Sequence, residues 1–225
     1  MKIEEIKVFH VHQFVYVKIE TDEGIYGIGE ASLSGRSLAV SEALGHIKPL
    51  LIGQDPTQIE HIWQDIFRGT FWRGGPVLQS ALAGIDIALW DLAGKSLGVP
   101  TYRLLGGATR QKVLVYRHVG GKTPVHLIEN AQKLLEEGWR VLRISPIDTL
   151  TGGFNPKLAV SRGIEHFAAL REAIGDEVEI IFEVHTRLTP IRAVELCKGI
   201  EHLRPFFVED PIRSENPASF AMLRA

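Results

Sequence analysis

The sequence predicts an α+β N-terminal part followed by the first four strands of a parallel strand–helix repeat. Three observations predict it. Short alternating strands with a Gly-containing turn open the chain. A long helix with a leucine stripe follows. From Val113 onward, apolar runs of strand length alternate with helices that each carry Pro in the first turn. With 225 residues, 45% of them hydrophobic, the chain suits one large or two small globular domains. The pattern changes near residue 110, so the expected domains are 1–110 and 111–225.

In the first part, Ile3 to Phe9 and Phe14 to Glu20 read as strands. Val15, Val17 and Ile19 form one face of the second. Thr21-Asp22-Glu23-Gly24 is a hairpin turn, and Ile25 to Glu30 a third strand, giving an antiparallel meander. Ser37 to Leu51 is a helix that Gly53 closes. Asp55 as N-cap and Pro56 at the first position open a second helix, through Phe67. Pro76 opens a third, in which Leu78, Leu82, Ile85, Leu89 and Leu92 make one buried stripe, with Ala81 and Ala88 beside it. Gly98-Val99-Pro100 stops it. Tyr102 to Leu105 and Gly106-Gly107 make the exit. The aromatic residues Trp63, Phe67, Phe71 and Trp72 are expected in a core between the domains.

In the second part the strands are Val113 to Val119, Val141 to Ser145, Val178 to Val184 and Phe206 to Glu209. The helices run Pro124 to Glu137, Pro156 to Ile174 and Pro190 to Leu203, the last with Thr189 as N-cap, and one more begins at Asn216. Right-handed crossovers put every strand's C-terminal end on one rim, in a barrel or a doubly wound sheet alike. A barrel takes roughly 250 residues. Four strands are half of one, so the expectation is a truncated copy of a longer protein, or open edges that something else covers.

The chemistry gathers between Glu179 and Pro211. Two apolar runs there each end in a carboxylate, Glu183 and Glu209, with a helix-length segment between them. His185 lies two residues past Glu183, on the same side if the strand end is extended. Two hard oxygen donors and an imidazole on one rim suggest a divalent metal with an acid/base partner. The competing reading pairs Glu183 with a surface arginine at the strand end and makes His185 a hydrogen-bonded structural residue. Asp210, before Pro211, reads as a turn residue.

Other classes are set aside. A net charge of -2 gives no electrostatic case for nucleic acid or an anionic membrane. No uninterrupted apolar run reaches the roughly 18 residues of a membrane span. The N-terminus reads as a strand, and the lone Cys197 permits no intrachain disulfide, so the expected setting is cytoplasmic. Cys197 itself reads as a small buried hydrophobe. Gly27-Ile28-Gly29-Glu30 lacks the third glycine of a dinucleotide loop and carries an acid that would repel a pyrophosphate. His10 and His12, alternating on one strand face, make a weak metal pair without a third ligand.

VYVKIETDEGIYGIGEA and FWRGGPVLQSALAGIDIALWDLAGKSLGVPTYRLLGG resemble the enolase superfamily, in its mandelate racemase/muconate lactonizing branch. The likeness covers the whole chain. LIGQDP, FWRGGP, the Val119-Gly120-Gly121 step and the carboxylate-x-His pair resemble the D-galactonate dehydratase family. HTRLTPIRAVELCKGIEHLRPFFVEDPIRSEN also resembles mannonate dehydratases. The resemblance implies an α+β capping domain followed by the first half of a modified TIM-type (β/α) barrel. It implies Mg²⁺-dependent dehydration of a sugar acid, an aldonate, to a 2-keto-3-deoxy acid through a metal-stabilised enediolate.

Carried over residue by residue, Glu183 and Glu209 are metal ligands and His185 is the general acid. The third ligand and the base would lie beyond Ala225. Glu183 stands where the family usually has Asp, Arg143 where it often has Lys, and Thr186 where galactonate dehydratases tend to have Gly. Arg143 stays protonated, so it cannot serve as a base but could bind a substrate carboxylate. In this family the capping hairpin reaches over the barrel mouth. His10, Gln13, Arg36 and Arg73 are therefore candidates to touch the distal hydroxyls, against the reading of solvated loops. The alternatives are a racemase or epimerase of the same branch and a non-catalytic fragment. The partners implied are a small-molecule sugar acid and, as a homo-oligomer, copies of the chain itself.

Overall fold

The computed structural model describes residues 1–149 and 153–224, except the side chains of Asp148 and Thr149. The chain divides into two compact units, Met1–Gln111 and Lys112–Ala225.

The first unit is a three-stranded antiparallel sheet, β1 (Ile3–Val11), β2 (Phe14–Thr21) and β3 (Tyr26–Glu30), in that order. Its helices are α1 (Ser37–Leu51), α2 (Ile59–Arg68), α3 (Pro76–Ser96) and a short α4 (Thr101–Leu104). Val15, Val17 and Ile19 point inward and are fully buried, as the alternation on β2 predicts. α3 is the central helix. Leu82, Ile85, Leu89, Leu92, Ala81 and Ala88 are all buried on it. By length and composition α3 could cross a membrane, but half of its apolar window is buried in this unit, as for a core helix.

Glycines set how closely α3 approaches the sheet. Gly27 and Gly29 alternate inward on β3. A Cβ on Gly27 would lie 1.9 Å from the Ala88 carbonyl oxygen, and one on Gly29 2.0 Å from that of Gly84. The GIGE sequence is thus a close-packing device between strand and helix. The outer edge of β3 is covered as well. Asp91 accepts the Ile28 backbone N–H at 2.8 Å, and Lys95 bonds both Asp91 and the Tyr26 carbonyl.

Several expectations are corrected here. α2 begins at Ile59, not at Pro56. Asp55 instead accepts from the Thr57 amide and hydroxyl and closes a turn, with Gln58 N–H bonded back to the Asp55 carbonyl. Leu78 is 41% exposed and stands outside the α3 stripe. Phe71 and Trp72 are 86% and 79% exposed, so they are not core; Trp63 and Phe67 pack against the core of the first unit. His10 lies in β1, but His12 is at the hairpin turn with φ 57, so the two do not share a strand face.

The second unit is a parallel four-stranded sheet in chain order: β4 (Arg117–His118), β5 (Val141–Ile144), β6 (Glu179–Glu183) and β7 (Phe207–Glu209). Between them run α5 (Pro124–Glu136), α6 (Pro156–Ile174) and α7 (Pro190–Ile200). Thr123 and Asn155 cap α5 and α6 by accepting from the His126 and Leu158 amides. Thr189 precedes α7 but makes no such bond, a correction to its expected role. α7 ends in a 3-10 turn at Glu201–Leu203, and Pro217–Leu223 is 3-10 helix; Ala225, in the expected last helix, lies outside the described residues.

β5 and β6 are buried on both faces, as continuous apolar runs require. The flanking strands are not. Only Arg117 and His118 of the expected Val113 to Val119 strand pair with β5, and Val113, Leu114 and Val115 are exposed. A strand with one neighbour forms only where that neighbour's length and twist permit pairing. Arg171, buried on α6, donates to the carbonyls of Gly175, Val178, Leu203 and Arg204. It ties the end of α6 to the starts of β6 and β7, and its burial lowers its pKa.

Gly29→Ala is expected to cost about 2–3 kcal/mol, the usual penalty for forcing a methyl into a closed contact. Urea unfolding would measure it, and a loss below about 0.5 kcal/mol would mean that β3 and α3 can separate freely.

Candidate functional site

The parallel register builds the site. His118 pairs with Arg143, Arg143 with Ile181, and Ile181 with Phe207, so these four share one row and one face. Two residues further along, Glu183 pairs with Glu209 on the same face. Adjacent strands lie about 4.8 Å apart, which puts two carboxylates side by side at the C-terminal rim. A cation beside them offsets their mutual repulsion.

The cation present is Arg143. Its Nη2 bonds Glu183 Oε2, and its Nε donates to Glu209 Oε2 at 2.7 Å. Glu183 is 1% exposed, Arg143 10% and Glu209 31%, so the cluster is largely removed from water. Burial disfavours the guanidinium charge, but the bonds to Glu183 and Glu209 outweigh it, and the pKa of Arg143 is raised. The expectation that Arg143 binds a substrate carboxylate therefore meets a guanidinium already held by two carboxylates of the chain itself.

His185 reaches the cluster by a different route from the one its spacing suggests. β6 ends at Glu183, and the chain turns through left-handed residues at His185 (φ 52) and Thr186 (φ 55). This corrects the extended strand end. The turn folds His185 back so that its amide donates to Glu183 Oε1 at 2.6 Å and its Nε2 lies 3.6 Å from Glu183 Oε2. A β-branched residue at positive φ is strained. The Thr186 amide compensates with a bond of 2.8 Å to the Asp210 carbonyl, and Asp210 is itself a turn residue at φ 46. The same guanidinium faces His185 Nε2 at 3.4 Å.

His118 was not singled out from the sequence. Arg143 Nη1 lies 3.0 Å from its Nε2, which must accept because a guanidinium has no acceptor. Tyr116 stacks on the His118 ring at 5.5 Å and lies under the Arg143 guanidinium. The signal was available: His118 ends its strand just before Val119-Gly120-Gly121, as Glu183 and Glu209 end theirs. A cavity of about 480 Å³ borders His185, with Thr186, Arg187, Phe154 and Arg213 on its walls.

The remaining candidates lie in the first unit. His10 Nε2 bonds the Ser41 hydroxyl at 2.7 Å. The Gln13 carbonyl accepts from Ser37, and Arg36 donates to the Gly35 carbonyl. Arg73 borders an apolar cavity of about 270 Å³ with His46, Phe71 and Trp72. His10, Gln13 and Arg36 thus gather where the hairpin tip meets the start of α1, and Arg73 stands apart on the α2–α3 loop.

The donor chemistry fits a hard divalent cation: two carboxylates, with no soft ligand beside them. It supplies only part of a site. Among the described residues, no group of three or more His, Cys, Asp or Glu could hold a metal.

Residues 5–106 match the family described as mandelate racemase / muconate lactonizing enzyme, N-terminal domain, and residues 126–225 match one described as enolase C-terminal domain-like. The chain is 40% identical to a D-galactonate dehydratase of Pectobacterium atrosepticum, covering 100% of this chain and 59% of that protein. It is also 40% identical to a D-mannonate dehydratase of a Caulobacter species, over 94% of this chain and 58% of that one. A solved enolase from Pantoea ananatis, with bound D-gluconate and Mg, superposes with a TM-score of 0.90 at 35% identity, covering 99% of this chain and 63% of that one. The chain thus spans about three-fifths of the length of the curated relatives it matches.

Glu183→Gln is expected to destabilise the second unit by about 2–3 kcal/mol, because it removes the charged acceptor of both Arg143 and the His185 amide. Urea denaturation would read it; an unchanged midpoint would mean that this cluster does not hold the rim together.

Proposed function

The chain belongs to the mandelate racemase/muconate lactonizing branch of the enolase superfamily, and from that premise we propose that it serves Mg²⁺-dependent dehydration of an aldonate. The product is a 2-keto-3-deoxy sugar acid. The observation that carries this is Glu183 ending β6 in register with Glu209 ending β7, with His185 folded back onto Glu183. Relatives named for D-galactonate and D-mannonate dehydration support it equally, so the substrate class is an aldonate of either configuration.

Glu183 and Glu209 would hold the metal. When bound, Mg²⁺ supplies Lewis-acid stabilisation for the charge that develops on the substrate's carboxyl group as its C2 proton leaves. His185 would be the general acid that gives a proton to the departing C3 hydroxyl. The folded-back turn supports that role by holding the His185 ring beside the strand-end carboxylate, its Nε2 3.6 Å from Glu183 Oε2. The cavity beside His185 is large enough for a six-carbon acid, and Arg213 lines it. The base and a third metal ligand are assigned to no residue among those described. Cys197 is half-buried, and burial raises its thiol pKa.

The complete natural polypeptide, incubated with Mg²⁺ and a panel of aldonates, is expected to yield a 2-keto acid detectable as its semicarbazone. No product from any aldonate would sink the proposal. Glu209→Gln is expected to abolish turnover. His185→Asn is expected to slow dehydration by about 10²- to 10⁴-fold while C2–H exchange with deuterium persists. Dehydration by that variant at the normal rate would place the acid elsewhere.

A further inference from the structure

We propose that the cavity of the first unit, between α1, α2 and α3, binds a small apolar carboxylate, an acid with an aromatic or branched aliphatic body. The inference uses residues of the first unit only and is independent of the reading of the β6 and β7 rim.

The walls select the body of the ligand. Ile47 of α1, Ile66 of α2 and Leu82 of α3 line the cavity and are buried. Leu50 and Leu78 line it too, 50% and 41% exposed; Leu78, outside the buried α3 stripe, borders this space instead. Phe71 and Trp72, edge to face at 5.2 Å, add an aromatic wall from the α2–α3 loop. Hydroxyl groups set against these side chains would give up water without gaining a partner, so a sugar acid fits poorly. An apolar body fits, because its burial is favourable in itself. The volume is about 270 Å³. That is just below the roughly 300–1,000 Å³ of drug-sized pockets, so the ligand has on the order of ten non-hydrogen atoms.

The charge selects its head. Arg73 is on the wall, and no aspartate or glutamate lines the cavity. Among the described residues the Arg73 guanidinium makes no hydrogen bond or ion pair. Its N–H donors are therefore available, in the planar fork that matches a carboxylate. His46 and Gln79 add further N–H donors on the same walls. Gly74 and Gly75 follow Arg73 directly, at φ 74 and 78. That left-handed stretch, open to glycine, lets the loop turn into α3 and keeps Arg73 beside the cavity. A second copy of the chain is the poorer occupant, because a two-fold contact centred here would set Arg73 against Arg73.

The test is calorimetric titration of the purified chain with phenylpropanoate, with phenylpropanol, phenylpropylamine and gluconate as controls. Phenylpropanoate is expected to bind with a Kd on the order of 0.1–1 mM. The alcohol should bind about fivefold or more weakly, and the amine and gluconate not measurably. Arg73→Gln is expected to reduce the affinity for the acid to that for the alcohol and to leave the alcohol unchanged. Leu50→Glu is expected to remove both. Both positions are exposed, so thermal unfolding of the two variants should match that of the unaltered chain. Equal binding of acid and amine, or acid binding that Arg73→Gln leaves intact, overturns the anion site. Gluconate binding as well as phenylpropanoate overturns the apolar body. No phenylpropanoate binding at about 10 mM overturns the site itself. If sedimentation then shows a dimer that Trp72→Ala dissociates, the occupant is a second copy instead.

Discussion

Two carboxylates end neighbouring parallel strands in register, and the rim of the second unit is organised around the guanidinium bonded to both. Glu183 and Glu209 are paired residues of β6 and β7. Like charges at this spacing repel, and a positive group between them offsets the repulsion. Arg143, one strand over and two residues back, supplies the charge and orders the side chains around it. His118, Tyr116 and His185 all take positions relative to that guanidinium.

The register itself depends on residues far from the rim. Arg171 binds four backbone carbonyls at the opposite ends of β6 and β7, which fixes where both strands start. At the rim, the Val184 amide bonds the Glu209 carbonyl and the Thr186 amide bonds that of Asp210. The strained turn that aims His185 is thus stapled to the neighbouring strand end. Backbone strain of this kind persists where the surroundings over-determine it.

In the first unit the governing constraint is proximity. Gly27 and Gly29 let α3 lie directly on β3, and Gly84 returns the favour, since a Cβ there would come within 2.6 Å of the Ala31 Cβ. The pattern that resembles a phosphate loop in the sequence has a packing cause. Sequence reasoning excluded the loop correctly, through the missing third glycine and the acidic Glu30. It could not see that the helix packed on those glycines would come from more than fifty residues downstream.

Much of this protein was legible in the chain itself. Alternation located β2, leucine spacing located α3, and Pro in the first turn located α5 and α6, because those signals are local and set by backbone sterics. The strand-end acids were legible too, since parallel topology sends every strand end to one rim. The extent of β4, the late start of α2 and the exposure of Leu78, Phe71 and Trp72 were not, because they depend on which neighbours are present to pair and cover them. The identity of the cation was the least legible feature. The sequence alone showed two acids, a histidine and, forty residues earlier, an arginine. That the arginine lies between the acids is a product of register across three strands, and only tertiary structure decides register.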